Sequence, residues 1–140
     1  MTTTDVKEYL REINALQHYL RRLKERRKNL HLDVSFGAID YSADRIQSTP
    51  KNKMEEAAVR MSDRLEYIDN EIAKTSVEID DRIANIEKVS NDTHRDILYK
   101  RYVDDKSFEE ISVEMGYVYN YTCNLHGDAL KELSKLLNFS

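Results

Sequence analysis

A chain of 140 residues has the length of one domain, or of one small domain with a long helical extension. Charged residues make up 34% while glycine and proline number only three and one, a balance that argues against turn-rich β architectures and for long solvent-facing helices. The net charge of −4 argues against a generally basic nucleic-acid coat, the single cysteine excludes an internal disulfide, and no apolar run approaches the ~18 residues of a membrane span. The expectation is an all-α protein. The start, Met1-Thr2-Thr3-Thr4-Asp5, lacks the basic-then-apolar pattern of a secretion signal, so a cytoplasmic location and no membrane partner are expected.

The first element is a long amphipathic helix over about residues 5–30. Asp5 and Glu8 have the spacing of a capping box, and Val6, Leu10, Ile13, Leu16, Leu20, Leu23 and Leu30 recur at three, four or seven. Its end carries Arg21, Arg22, Lys24, Arg26, Arg27 and Lys28, which either contact phosphates or pair with acidic residues of the next helix. Ion pairing is the favoured reading, with Glu55, Glu56, Asp63 and Glu66 as partners in an antiparallel hairpin.

Between residues 31 and 50 the periodicity breaks at Gly37, several Asp and Ser residues and Pro50, giving a long connection. Phe36, Ile39, Tyr41 and Ile46 suit either an ordered flap or a disordered loop.

A second helix is expected over 51–90. Met54, Ala58, Met61, Leu65, Ile68, Ile72, Thr75, Ile79, Ile86 and Val89 keep a three/four alternation, with Arg82 or Ile83 filling the gap. At ~1.5 Å per residue this helix is on the order of 57 Å long and the first about 39 Å. The excess, around Val77 to Val89, has to be buried by dimerisation or by the C-terminal segment, since each exposed Ile or Val forgoes about 1.5–3 kcal/mol.

From residue 91 to 140 the pattern is that of a three-helix helix-turn-helix. Asp92 is a candidate cap before Ile97, Leu98 and Tyr102. Ser107 and Glu110 form a capping box before Phe108, Ile111 and Met115, and Gly116 supplies a left-handed stop. Leu125, Ala129, Leu130, Leu133 and Leu137 form a third stripe, and Val118 offers no cap, so this helix is expected to start later, with Asn120 as its cap. The fold class predicted is therefore a long antiparallel coiled-coil hairpin (1–90) followed by a helix-turn-helix (91–140).

Arg101-Tyr102, Ser107 to Ile111, Met115-Gly116-Tyr117 and His126 to Leu130 resemble the sigma factor region 4-like end of small phage and prophage transcription regulators of the RinA/ArpU kind. The match covers roughly the last third of the chain. The resemblance implies a recognition helix from Tyr119 onward entering the DNA major groove, and a bacterial host cell as the setting. The chain itself reads Val118, Tyr119, Asn120, Tyr121, Asn124 and Asp128 there, and residues 92–140 hold six basic and nine acidic side chains.

Asn120 and Asn124 lie four apart on one helix face and can pair with the N7/N6 edge of adenine, while Tyr119 and Tyr121 can touch sugar or thymine methyl groups. Lys106 and Ser107 at a helix start, and Lys131 further along, are the candidate phosphate contacts. His126 is expected to pack or cap, and Cys123 to fill space. No catalytic pairing, metal-ligand spacing or glycine-rich phosphate loop is visible, so neither an enzyme nor a cofactor is expected.

The leading expectation is a transcription regulator that binds duplex DNA as a homodimer. Two alternatives draw on the same features. One is an adaptor or inhibitor that uses its tyrosines to bind a host protein such as RNA polymerase or a defence nuclease. The other is the small subunit of a DNA-packaging terminase.

Overall fold

The structure is a computed structural model that describes residues 2–35 and 50–138. The chain is all-α, with α1 (Thr3–Ser35), α2 (Pro50–Glu87), α3 (Asp92–Leu98), α4 (Phe108–Met115) and α5 (Tyr119–Asn138). A π-helical turn, Tyr99–Val103, follows α3 directly. The flap suggested by Phe36, Ile39, Tyr41 and Ile46 lies outside the described residues. None of the described helices is long and apolar enough to cross a membrane.

Both long helices differ in extent from the pattern in the sequence. α1 starts with Thr2 as its cap rather than Asp5: the Thr2 hydroxyl accepts the Asp5 N–H at 3.2 Å and the Asp5 carboxylate accepts the Thr2 N–H at 3.0 Å. This box has the same spacing as Asp5 and Glu8 but adds a turn, since the Val6 N–H reaches the Thr2 carbonyl at 3.0 Å. The bonds from Thr2 hold the Asp5 carboxyl below its usual range. At the other end α1 runs on to Ser35. α2 begins at Pro50 itself, where a missing N–H leaves no helix bond unmade, and ends at Glu87.

α3 is capped by Asn91, whose side chain accepts the His94 N–H at 3.1 Å, and not by Asp92. Asp92 instead occupies the first turn and pairs with Arg95. A carboxylate there meets the positive end of the helix dipole. In the π turn the Asp104 N–H reaches the Tyr99 carbonyl at 3.1 Å. The added residue per turn breaks the three/four rhythm after Leu98, while Tyr102 stays buried.

The chain divides into two compact units, one of Met1–His18 with Val77–Ser140 and one of Tyr19–Ser76. In the first, Val6, Leu10 and Ile13 of α1 share a core with Ile86, Val89, Ile97, Leu98, Tyr102, Ile111, Leu125, Ala129, Leu130 and Leu133. Ile86 and Val89, the end of the apolar excess expected around Val77 to Val89, are thus buried with the C-terminal helices of the same chain, whereas Val77 is exposed. Arg82 fills the gap in the α2 stripe. Its guanidinium lies 4.4 Å from the Tyr9 ring, donates to the Tyr9 carbonyl at 3.2 Å and pairs with Glu12 at 2.9 Å. Its stem packs while its two terminal nitrogens find acceptors, and its buried Nε is left without a partner among the described residues.

The second unit contains the basic run of α1. Leu23, Ile68 and Thr75 are buried there, whereas Met54 and Ala58, assigned to the same stripe by their spacing, are exposed. Arg27 pairs with Asp69 at 2.5 Å and the Tyr19 hydroxyl donates to Glu71 at 3.1 Å. The expected partners Glu55, Glu56, Asp63 and Glu66 are displaced because a first helix that continues to Ser35 brings Arg27 level with a later part of α2. Arg21, Lys24, Arg26 and Lys28 remain exposed.

Candidate functional site

The sequence-predicted site residues fall on α4, the turn after it and α5. The Ser107 hydroxyl accepts the Glu110 N–H at 3.2 Å and the Glu110 carboxylate faces the Ser107 N–H at 3.5 Å, so the expected capping box is present. Gly116 closes α4 at φ 73°. The Tyr117 N–H returns to the Ser112 carbonyl at 3.0 Å and the Gly116 N–H to Val113 at 3.4 Å, the paired bonds of a Schellman motif. Only Val118 separates this turn from α5.

The Thr122 N–H and the Thr122 hydroxyl both reach the Val118 carbonyl at 3.0 Å. α5 therefore starts at Tyr119, and Asn120 sits inside the first turn instead of capping it. A backbone carbonyl can open a helix whatever its side chain, and the short turn fixes where that carbonyl lies. Thr122, Leu125, His126, Ala129, Leu130 and Leu133 face inward. With about 100° per residue, Asn120, Asn124 and Lys131 lie within one narrow stripe on the opposite side, and all three are exposed.

Tyr119 and Tyr121 are half exposed and flank this stripe on either side. Tyr121 packs edge-on against Tyr117 with ring centroids 4.9 Å apart. A hydrogen bond with Cys123 raises the Tyr119 hydroxyl pKa above its usual value. Val113 and Val118 are also exposed, with 82% and 72% of their areas open to solvent.

Lys106 and Ser107 stand apart from that stripe. The Lys106 ammonium pairs with Glu114 at 2.7 Å, and Lys100 reaches the same carboxylate at 3.0 Å. These bonds raise the Lys106 pKa and lower that of Glu114. The Ser107 hydroxyl is occupied by Glu110, and Glu109 and Glu110 load the first turn of α4 with negative charge. An anion approaching that helix start would meet two carboxylates.

Behind the stripe, His126 is buried with its Nε2 2.6 Å from the Tyr102 hydroxyl and its ring 4.9 Å from that of Phe108. Burial, followed by the positive charges of Lys7, Arg101 and Arg11, lowers the His126 pKa to about 4. Burial raises that of Tyr102 to about 12. Both groups are neutral at pH 7 and share one proton in a single hydrogen bond. A second polar tie joins α3 to α5, with His94 Nδ1 2.6 Å from Glu132, which also accepts from Ser90 at 3.2 Å.

Sequence reasoning missed the convergence of Lys7, Arg11 and Arg101 near His126, because α1 lies far from the last helices along the chain and periodicity carries no information on which elements meet. Among the described residues no three His, Cys, Asp or Glu side chains are grouped as metal ligands would be. Comparison with protein-family models, with curated proteins and with solved structures finds no match for this chain.

Proposed function

We propose that this protein is a DNA-binding transcription regulator of phage or prophage type that reads duplex DNA through α5, with α4, the Gly116 turn and α5 acting as a helix-turn-helix. The observation that carries the reading is the stripe of Asn120, Asn124 and Lys131, exposed on a helix whose opposite side is anchored in the core. Asn side chains can bond both adenine N6 and N7, and Lys131 can reach a phosphate from the same side of the helix. The resemblance to the RinA/ArpU kind of regulator supports the assignment of α5 as the recognition helix. Action as a homodimer would pair two such helices on two half-sites.

Lys106 and Ser107 contribute to this reading by holding the start of α4 in place rather than by gripping phosphate. Few cations then remain near α5, so base contacts and shape supply more of the affinity than counterion release does. Replacing Asn120 and Asn124 together by Ala is expected to weaken discrimination at the contacted base pairs by about 1–3 kcal/mol per lost bidentate contact, measured by competition between duplexes differing at one position. Unchanged discrimination would remove α5 from the recognition role.

A second reading is favoured by the exposed Val113, Tyr117, Val118, Tyr119 and Tyr121, since exposed tyrosines are enriched where protein partners anchor. In that reading the chain is an adaptor or inhibitor of a host protein, and replacing Tyr119 and Tyr121 by Ala abolishes complex formation while leaving α5 folded.

A further inference from the structure

The cationic side chains near His126 line a cleft of about 430 Å³ together with Asn14, Tyr102, Asp105 and Phe108. We propose that this cleft is a binding site for a small phosphate monoester, with Lys7, Arg11 and Arg101 gripping the phosphate. The charge of the cleft favours an anion. Three cations set against the Asp105 carboxylate and against Glu8, which pairs with Arg11, leave the cleft net positive, and the ligand that gains most from that field is a phosphate monoester, with roughly −1.5 to −2 at pH 7. A phosphodiester or a simple carboxylate carries about half of that.

Two of the three cations are held in place by contacts of their own. Arg101 donates one N–H to the Lys106 carbonyl at 2.9 Å and lies 4.6 Å from the Phe108 ring, which fixes its plane and leaves other N–H groups of its fork for a ligand. The π turn that carries Arg101 is the kind of helix irregularity that recurs at functional sites. Arg11 is tied to Glu8 at 3.1 Å, a half-exposed pair that leaves further donors of its guanidinium uncommitted. Asp105 is held at φ 55°, a left-handed conformation that Asp tolerates better than most residues, where its carboxylate can accept from a hydroxyl or amine of the organic moiety. The volume falls in the range of about 300–1,000 Å³ typical of small-molecule sites, more than a bare phosphate fills.

The His126 ring and the Tyr102 hydroxyl close the cleft on the core side. An anion bound there offsets the positive field on the imidazole, so the His126 resonances report occupancy directly. Occupancy is a property separate from DNA reading, because the cleft draws on α1, the π turn and the inner side of α5 rather than the Asn120 stripe.

The test is titration of the full chain with inorganic phosphate and then glycerol 3-phosphate at constant ionic strength, followed by calorimetry and by the His126 ring signals in NMR. Expected are saturable one-site binding, a shift of the His126 signals, tighter binding of the monoester than of phosphate, and at least about a tenfold loss in Lys7→Gln/Arg11→Gln. Asp105→Asn removes the opposing charge in a residue that accepts the same backbone, and should tighten phosphate by about three- to tenfold. Effects no larger than those of sodium chloride at the same ionic strength would overturn the proposal. So would phosphate binding that neither Lys7→Gln/Arg11→Gln nor Asp105→Asn alters. Loss of duplex DNA binding in Lys7→Gln/Arg11→Gln without any phosphate binding would also overturn it, and would make the cleft a contact for the DNA backbone.

Discussion

The bond between Tyr102 and His126 sets the chemistry of the unit that carries α5. A histidine kept neutral by burial down to a pKa of about 4 must shed a proton relative to the unfolded chain, where the ring titrates near 6.5. The unfolded state therefore binds more protons between these values. Stability from this residue is fully present above about pH 6.5 and is lost as pH falls toward 4, by on the order of 2–3 kcal/mol. Urea unfolding at pH 7.5 and pH 5 should show this loss, and His126→Gln, which cannot titrate but retains an amide for Tyr102, should flatten it. An equal slope in the variant would place the titration elsewhere. Neither partner signals the other in the sequence: Tyr102 reads as the end of one apolar stripe and His126 as a break in another. Side chains so far apart in sequence meet only because α3, the π turn and α5 share a core.

At the scale of elements, the start and stop signals of α4 are legible because they are local chemistry. Ser107, Glu110 and Gly116 act within a few residues of where they stand, and Ser107→Ala should destabilise the unit by about 0.5–2 kcal/mol in thermal or urea melts. A Cβ on Gly116 would meet nothing within 4 Å, so the cost of Gly116→Ala is that of the left-handed backbone alone, about 1–2 kcal/mol. Gly127 differs, since it lies within α5 and also has open space around it. Gly127→Ala should stabilise the fold by about 1 kcal/mol. It stands beside Asn120 and Asn124 on the outward side, so the same change should weaken DNA binding if a groove wall approaches α5 closely. The starts of α1, α3 and α5 were less legible. Thr2, Asn91 and the Val118 carbonyl compete with neighbours of similar capping ability, and packing decides among them. The π turn leaves no periodic trace at all.

For the whole molecule, periodicity identified the buried stripes of α1 and α2 but not their partners. Val6, Leu10 and Ile13 read as the opening of a hairpin seam, yet their burial is shared with α3, α4 and α5. Ile86 and Val89 are covered within the chain, so dimerisation is not needed to bury them, while Val77 stays exposed. The proposed reading of two DNA half-sites calls for a homodimer, and light scattering at tens of micromolar should then find two chains per particle. With a net charge of −4, non-specific DNA binding under the proposed function would be no tighter than the ~10⁻⁴–10⁻⁶ M typical of such binding. Selectivity must then stand well above that background for α5 to act as a recognition helix. The most direct test is selection of bound duplexes from a random library at two salt concentrations, run in parallel with Asn120→Ala/Asn124→Ala. The account predicts an enriched motif with adenine at defined positions, weakened by salt and blurred in the double variant. Failure to enrich any motif at either salt concentration would contradict it, and would direct the exposed tyrosines of α5 toward a protein partner.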